Sequence, residues 1–149
     1  MVQNPPAGSQ RIVPYFLYRD AAAIVDFLCQ AFGFEKGIQF PGPDGSLMHA
    51  EVTMGGEQFM LATAMPEMGH AAPMDLPGRH AMTMVYVDDV DAHFAHAKEA
   101  GAEILSEPED KFYGDRSYVA KDPEGVTWCF ATHVRDVAPE DMQPPEAEA

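Results

Sequence analysis

An internal repeat constrains the fold of this chain more than any other feature of its sequence. The segment FMLAT at residues 59–63 returns as WCFAT at residues 128–132, 69 positions later. Both copies are runs of apolar and β-branched residues, which favour β-strands. Because Asp20 and Asp89 lie 69 positions apart as well, we predict a fold made of two similar halves.

The first half, residues 11–64, predicts the order β-α-β-β-β. Asp20 is a preferred helix N-cap residue and Gly33 a preferred helix stop, and apolar residues recur between them at helical spacing. The predicted elements are a strand over 11–18, a helix over 21–32 and strands over 34–40, 46–54 and 58–64. We call this half module one.

The second half repeats this order after a connection. Residues 65–79 hold three prolines and two glycines without an apolar period, which predicts an irregular link. The elements predicted for residues 80–134, module two, are strands over 80–87 and 102–106, a helix from Asp89 to Ala100, and a hairpin around a turn at 122–125. Both modules belong to one α+β domain over 11–137, with a flexible tail at 1–10 and a disordered acidic tail at 138–149.

Charge and cysteine content exclude several classes of function. Nine basic and 24 acidic residues give a net charge of -15, which repels nucleic acids and anionic membrane surfaces. The cysteines, Cys29 and Cys129, lack the spacing of a zinc or disulfide framework. With no leader-like segment and no apolar run of roughly 18 to 20 residues, we expect a cytoplasmic protein without nucleic-acid or membrane partners.

Three short phrases add a family resemblance to this architecture. They are YGDR at 113–116, DPEG at 122–125 and ATH at 131–133. With the repeat, they resemble the vicinal oxygen chelate superfamily, which includes glyoxalase I, bleomycin-resistance proteins and extradiol dioxygenases, and within it the glyoxalase-like branch related to PhnB. The resemblance covers about 11–134. It implies curved mixed sheets around a cavity, helices on the outer face, a small-molecule ligand and a homodimer.

The resemblance also implies where a metal would bind. It carries the usual ligand positions onto Val13, Met60, Met82 and Cys129. Three of these residues are poor ligands for a hard divalent ion and the fourth is a lone thiol. We therefore expect neither the usual metal site nor another cofactor. A relocated divalent metal site remains open, and its ligands would be His49, Glu51, His80 and His133.

Alternation along the strands predicts a ligand surface. Residues of the inward parity form an apolar and aromatic set, namely Tyr15, Leu17, Met60, Met82, Met84 and Tyr86. Methionine and aromatic side chains give an adaptable surface suited to a flat apolar molecule. The same set could instead fill the core, since the chain has ten methionines.

Polar candidates for the same surface come from the repeat. Counting 69 positions matches His49 with Tyr118, and Arg116 shares the strand parity of Tyr118. This predicts that Arg116 or His49 orients the ligand, with Tyr113 and Tyr118 as aromatic walls. Alternatively, Arg116 only pairs with Asp115, and His49 lies on the solvated side of its strand.

Two functions of different classes follow from these residues. The first is a metal-independent protein that binds a small apolar or aromatic molecule, as in resistance or sequestration. The second is a lyase or isomerase of the glyoxalase type, which uses a relocated metal or His49 with Glu51 as an acid–base pair. The sequence names no substrate.

Overall fold

The computed structural model describes residues 2–146. In that part of the chain, two helices and eight strands follow the predicted order. They are β1 (Tyr15–Tyr18), α1 (Ala21–Phe32), β2 (Glu35–Pro41), β3 (Leu47–Met54), β4 (Glu57–Thr63), β5 (Met82–Tyr86), α2 (Val90–Glu99), β6 (Glu103–Asp110), β7 (Asp115–Lys121) and β8 (Thr127–His133). Neither helix is long and apolar enough to span a membrane.

The chain forms two compact units, each with its own sheet. Of the described residues, those up to Arg79 together with Asp122–Val126 make the first unit, and the others make the second. The strand order is β1-β4-β3-β2 in the first sheet and β5-β8-β7-β6 in the second. One strand pair in each sheet is parallel and the other pairs are antiparallel. The predicted α+β fold of two β-α-β-β-β modules is confirmed.

Capping residues fix the helices where the sequence predicts them. The Asp20 carboxylate accepts a hydrogen bond from the backbone N–H of Ala23, and Gly33 ends α1 with a φ of 77°. Asp89 caps α2 in the same way through the N–H of Ala92. Helix α1 buries one apolar face, which includes Ile24, Val25, Leu28 and Phe32.

The first strand is shorter than predicted, and the side chain of Gln10 bonds β4 beyond the point where the strand begins. Strand β1 begins at Tyr15 rather than at residue 11. The side chain of Gln10 donates to the backbone oxygen of Gln58 at 2.6 Å and accepts from its N–H at 3.0 Å. A longer β1 would have paired only the N–H of Gln58, because Pro14 has no N–H to donate to the Gln58 oxygen. The Gln10 side chain satisfies both groups, so the sequence before β1 remains attached to β4.

Strand β6 is longer than predicted, and its position at an edge of its sheet allows it to include a proline. It extends from Glu103 to Asp110 and includes Pro108. Its pairing with β7 shifts in register on both sides of Ser106. A proline cannot donate to the sheet, but an edge strand tolerates one where it faces away from its neighbour.

The two modules differ by one residue in the turn before their last strand. As a result, each side chain of β7 points to the opposite sheet face from that of the residue 69 positions earlier. Two residues separate Met54 from Glu57, whereas three separate Asp122 from Val126, which close the second turn with an N–H···O bond of 3.0 Å. Met60 therefore pairs with Glu51, but its counterpart Cys129 pairs with Val119.

Along β3 and β7 the matching positions are consequently 68 residues apart, not 69. His49 corresponds to Ser117 and Glu51 to Val119. A shift of one residue moves each side chain to the other face of a strand. The predicted match of His49 with Tyr118 is therefore wrong.

Candidate functional site

The candidate site is built on the sheet face of module one that does not carry α1, which we call open face one. Phe59 and Leu61 of β4 are buried, while Met60 between them points to the opposite face. Tyr15 on β1 and Glu51 on β3 both pair with Met60, so the three side chains form a row across the sheet. Tyr15 is 46% exposed.

A chain of hydrogen bonds runs along open face one. The Tyr15 hydroxyl lies 2.8 Å from His49 Nδ1, and His49 Nε2 lies 3.1 Å from Glu51 Oε1. The Gln58 amide donates to the other oxygen of Glu51 at 3.3 Å, and Ser9 Oγ lies 3.1 Å from the Gln58 oxygen. Partial burial, with the nearby charge of Glu51, raises the pKa of Tyr15.

Aromatic rings line the same row. The ring centroids of Tyr15 and His49 lie 5.7 Å apart, and those of Phe40 and His49 lie 6.0 Å apart. Phe40 on β2 and Tyr15 on β1 are both exposed and lie on opposite sides of the imidazole. Four predicted residues, Tyr15, His49, Glu51 and Met60, are thus brought together on one face.

The corresponding face of module two, open face two, carries the other predicted apolar residues. On β5, Met82, Met84 and Tyr86 are 54%, 44% and 60% exposed. The Tyr86 hydroxyl donates to Asp115 Oδ2 at 2.8 Å, which raises the pKa of Tyr86. His133 Nδ1 lies 2.8 Å from the other oxygen of this buried carboxylate. From the sequence, we considered Asp115 only as a partner of Arg116. Asp115 has the strand parity of Ser117, the counterpart of His49, and this parity places it on open face two.

His133, which contacts Asp115 on open face two, is expected to make the stability of the folded protein depend on pH. Hydrogen bonds to Asp115 and Asp136 raise the pKa of His133. A raised folded-state pKa contributes stability that is complete below the unfolded value, about 6.5, and is lost as the pH rises through the folded value. We expect His133→Gln to lower the urea midpoint more at pH 6 than at pH 9. His80→Gln, at an exposed position before β5, is the control; equal losses at both pH values would contradict this assignment.

The predictions for Arg116 and Tyr118 are corrected by the register of β7. Both side chains face α2 rather than open face two: Arg116 Nε lies 3.1 Å from both carboxylate oxygens of Asp91, and its Nη1 lies 3.1 Å from Asp110. The pairing of Arg116 with Asp115 is not formed either. The fully buried Tyr118 hydroxyl lies 2.7 Å from His93 Nδ1, and burial raises the pKa of Tyr118 far above its ordinary value.

Two further aromatic residues lie close to module two's strands. Tyr113 packs edge-on against Phe112 at 5.1 Å, in the turn before β7. Trp128 is fully buried and stacks on Phe130 with a centroid distance of 6.3 Å, so it belongs to the core. A ligand-binding role for Tyr113 stays a prediction.

The residues at the usual metal positions do not fit a divalent ion. Val13 has an alkyl side chain, and Met60 and Met82 offer only thioethers. Burial raises the pKa of the Cys129 thiol, which disfavours the thiolate that binds metals. His49 and Glu51 lie in the first compact unit, whereas His80 and His133 lie in the second. Within residues 2–146, no three His, Cys, Asp or Glu side chains are grouped as metal ligands.

A groove of about 500 Å³ lies elsewhere in the first unit, and the sequence did not predict it. It runs between the β2–β3 hairpin and the segment that follows β4. Its walls include Pro43, Leu47, Met48, Met65 and Glu67. None of the predicted ligand residues lines this groove.

Comparisons with known proteins establish the family. The family model of the glyoxalase/bleomycin resistance protein/dioxygenase superfamily matches residues 11–130. An uncharacterised protein of Mycobacterium bovis is 36% identical over 133 residues, 87% of this chain and 88% of the relative. TioX from Micromonospora sp. ML1 is 32% identical, with a TM-score of 0.66 over 84% of this chain and 99% of TioX.

A further solved structure shares the fold at lower identity. TnmS3 from Streptomyces sp. CB03234, an antibiotic binding protein, is 24% identical, with a TM-score of 0.63 over 83% of this chain and 98% of TnmS3. The match of the family model to most of the chain, together with the two relatives above 30% identity, carries the assignment. The chain belongs to the glyoxalase/bleomycin resistance protein/dioxygenase superfamily.

Proposed function

We propose that this protein binds a small, flat, apolar or aromatic molecule on its open faces, without using the superfamily's usual metal site. The observation that carries the proposal is the exposure of Tyr15, Met82, Met84 and Tyr86, four large side chains that point away from the helices. Methionine and tyrosine together offer an adaptable apolar surface with hydroxyl handles. TnmS3, an antibiotic binding protein, supports the proposal because the same fold there holds a small molecule.

The proposal includes the setting in which such a protein would act. We propose a homodimer, as the family resemblance implies, in which the apolar open faces line a ligand cavity at the dimer interface. We also propose a cytoplasmic location, because Cys29 and Cys129 are free thiols, which a reducing compartment preserves. Membership of the branch related to PhnB is part of the same proposal.

The binding proposal is tested by placing a charge on each open face. We expect wild-type protein to bind 2-naphthol in isothermal titration calorimetry, and Met60→Lys or Met84→Lys to weaken binding at least about tenfold, since a lysine in an apolar contact must lose hydration. Met68→Lys is the control, because Met68 is exposed in a short helical turn of the connection. Binding that neither open-face variant changes, or no binding by the wild type, would overturn the proposal.

A second candidate function is favoured by the contact of His49 with Glu51. A carboxylate 3.1 Å from an imidazole can act with it as an acid–base pair. The protein would then be a lyase or isomerase of the glyoxalase type, either with this pair alone or with a relocated metal. Metal content of protein purified without chelator, and turnover of the methylglyoxal–glutathione adduct with added Ni, Co, Zn or Mn, test this candidate. Turnover that is lost in His49→Gln would favour it over binding alone.

A further inference from the structure

The hydrogen-bond chain on open face one has a fixed direction, and Glu51 sets it. An ionised carboxylate has acceptors but no proton to donate. The contact of 3.1 Å between Glu51 Oε1 and His49 Nε2 therefore requires the proton of a neutral imidazole to be on Nε2. The same reasoning orients Gln58, whose NH₂ group donates to Glu51 while its oxygen faces the hydroxyl of Ser9.

The direction of the chain decides what Tyr15 can offer to a ligand. With the proton on Nε2, His49 Nδ1 is an acceptor, and the hydroxyl 2.8 Å away must donate to it. The only proton of the Tyr15 hydroxyl is then committed to the imidazole. What the exposed Tyr15 still presents to a ligand is the lone-pair side of its hydroxyl oxygen, on the face that also carries the imidazole of His49.

Open face two repeats this arrangement with different residues. The Tyr86 hydroxyl donates to Asp115, a buried carboxylate that likewise has no proton to return. Tyr86 lies at the register position of Leu17 and Tyr15 at that of Met84, so the two tyrosines are not copies of one repeated position. In each module, an exposed tyrosine nevertheless turns its proton inward and an acceptor oxygen outward.

We propose that the ligand of open face one donates a hydrogen bond to the Tyr15 hydroxyl oxygen. The ligand class is therefore a flat aromatic molecule with an O–H or N–H donor on its ring system. Tyr15 is the contact residue, and Glu51 is a positioning residue that acts through His49. This inference rests on the proposed binding function. It adds that aromatic ligands with a hydrogen-bond donor are preferred over those without one.

The test compares two ligands that differ in one hydrogen-bond donor. 2-Naphthol and 2-methoxynaphthalene share a ring system, but only the first has an O–H. We expect wild-type protein at pH 8 to bind 2-naphthol roughly fivefold more tightly, and Tyr15→Phe to bind both about equally. In Glu51→Gln, the amide can both donate and accept, so His49 is no longer confined to one tautomer and the preference should shrink. Glu57→Gln is the matched control at an exposed carboxylate of β4.

A measurement without ligand distinguishes failure of this inference from failure of the proposed binding function. Long-range ¹H–¹⁵N spectra should show His49 of wild-type protein with its proton on Nε2, and Glu51→Gln with both tautomers. A proton on Nδ1 in the wild type, equal binding of the two naphthalenes, or an unchanged preference in Glu51→Gln would each overturn the inference. Failure of both compounds to bind, with the Nε2 tautomer observed, would instead overturn the proposed function.

Discussion

Replacing Asp122 with alanine is expected to lower the free energy of unfolding by about 3 kcal/mol. The Asp122 carboxylate, 3% exposed, accepts the Tyr18 hydroxyl at 2.8 Å and the backbone N–H groups of Glu124 and Val126 at 3.0 and 3.1 Å. Alanine removes both acceptor oxygens, and with them all three hydrogen bonds, and leaves the hydroxyl of the fully buried Tyr18 without its partner. An unpaired buried donor costs more than the hydrogen bond itself contributes.

Two milder variants separate the contributions of this carboxylate. Asp122→Asn keeps one oxygen for the backbone N–H groups, and Tyr18→Phe removes the hydroxyl but leaves the turn intact. We expect each to cost about 1 kcal/mol. Urea denaturation followed by circular dichroism provides the measurement. A loss below 1 kcal/mol in Asp122→Ala would show that the turn does not depend on these bonds.

The neighbouring Glu124 explains why this turn contains a second carboxylate. Its two oxygens accept the backbone N–H groups of Arg19 and Asp20 at 2.6 and 2.8 Å, directly before α1. These donors lie at a helix N-terminus, where backbone N–H groups lack partners within the helix and negative charge is favoured. In the sequence, DPEG reads only as a tight turn; its carboxylates also hold the start of α1 in the first compact unit.

The elements of the fold were predictable because local signals determine them. Asp20 and Gly33 mark the ends of α1 by hydrogen bonding and a left-handed backbone, and both effects depend only on the residue itself. The open-face positions of Tyr15, His49, Glu51 and Met60 were predictable for the same reason. Alternation within a single strand is sufficient to place them.

The part that failed depends on register, which a repeat does not fix. The prediction for Tyr118 carried the spacing of β8 across a turn with one extra residue, so its face was inverted. Arg116 shares that strand and was misplaced with it. The extra residue is visible only once the pairing is known: three residues stand between Asp122 and Val126, which close their turn, where two stand between Met54 and Glu57.

Hydrogen bonds between residues far apart in the sequence could not be predicted either. Ser9 and Gln58 are 49 positions apart, yet they complete the polar chain that reaches Glu51. Residues 1–10 were predicted as a flexible tail from composition alone. Composition cannot show that one residue, Gln10, pairs with strand β4 through its side chain. The hydrogen-bond chain on open face one thus extends through contacts that only the fold provides.

Gly114→Ala is expected to be as damaging as the loss of Asp122, with about 3 kcal/mol of stability lost. Gly114 has a φ of 104°, which disfavours any side chain, and an added Cβ would clash with the backbone oxygen of Arg135. The segment after β8 cannot simply move away, because the Gly114 oxygen accepts the N–H groups of both Val134 and Arg135 at 3.0 and 3.1 Å. The glycine of the YGDR phrase is therefore required by the backbone.

Two control glycines divide this loss into its causes. Gly45 has a φ of 82° but open space around a Cβ, and Gly78 has open space without a left-handed φ. We expect Gly45→Ala to cost about 1 kcal/mol and Gly78→Ala to be neutral or slightly stabilising, because alanine restricts the unfolded chain. Urea midpoints of the three variants give the comparison. If Gly114→Ala lost no more than Gly45→Ala, the clash with Arg135 would be relieved by relaxation, and only the backbone conformation would require a glycine.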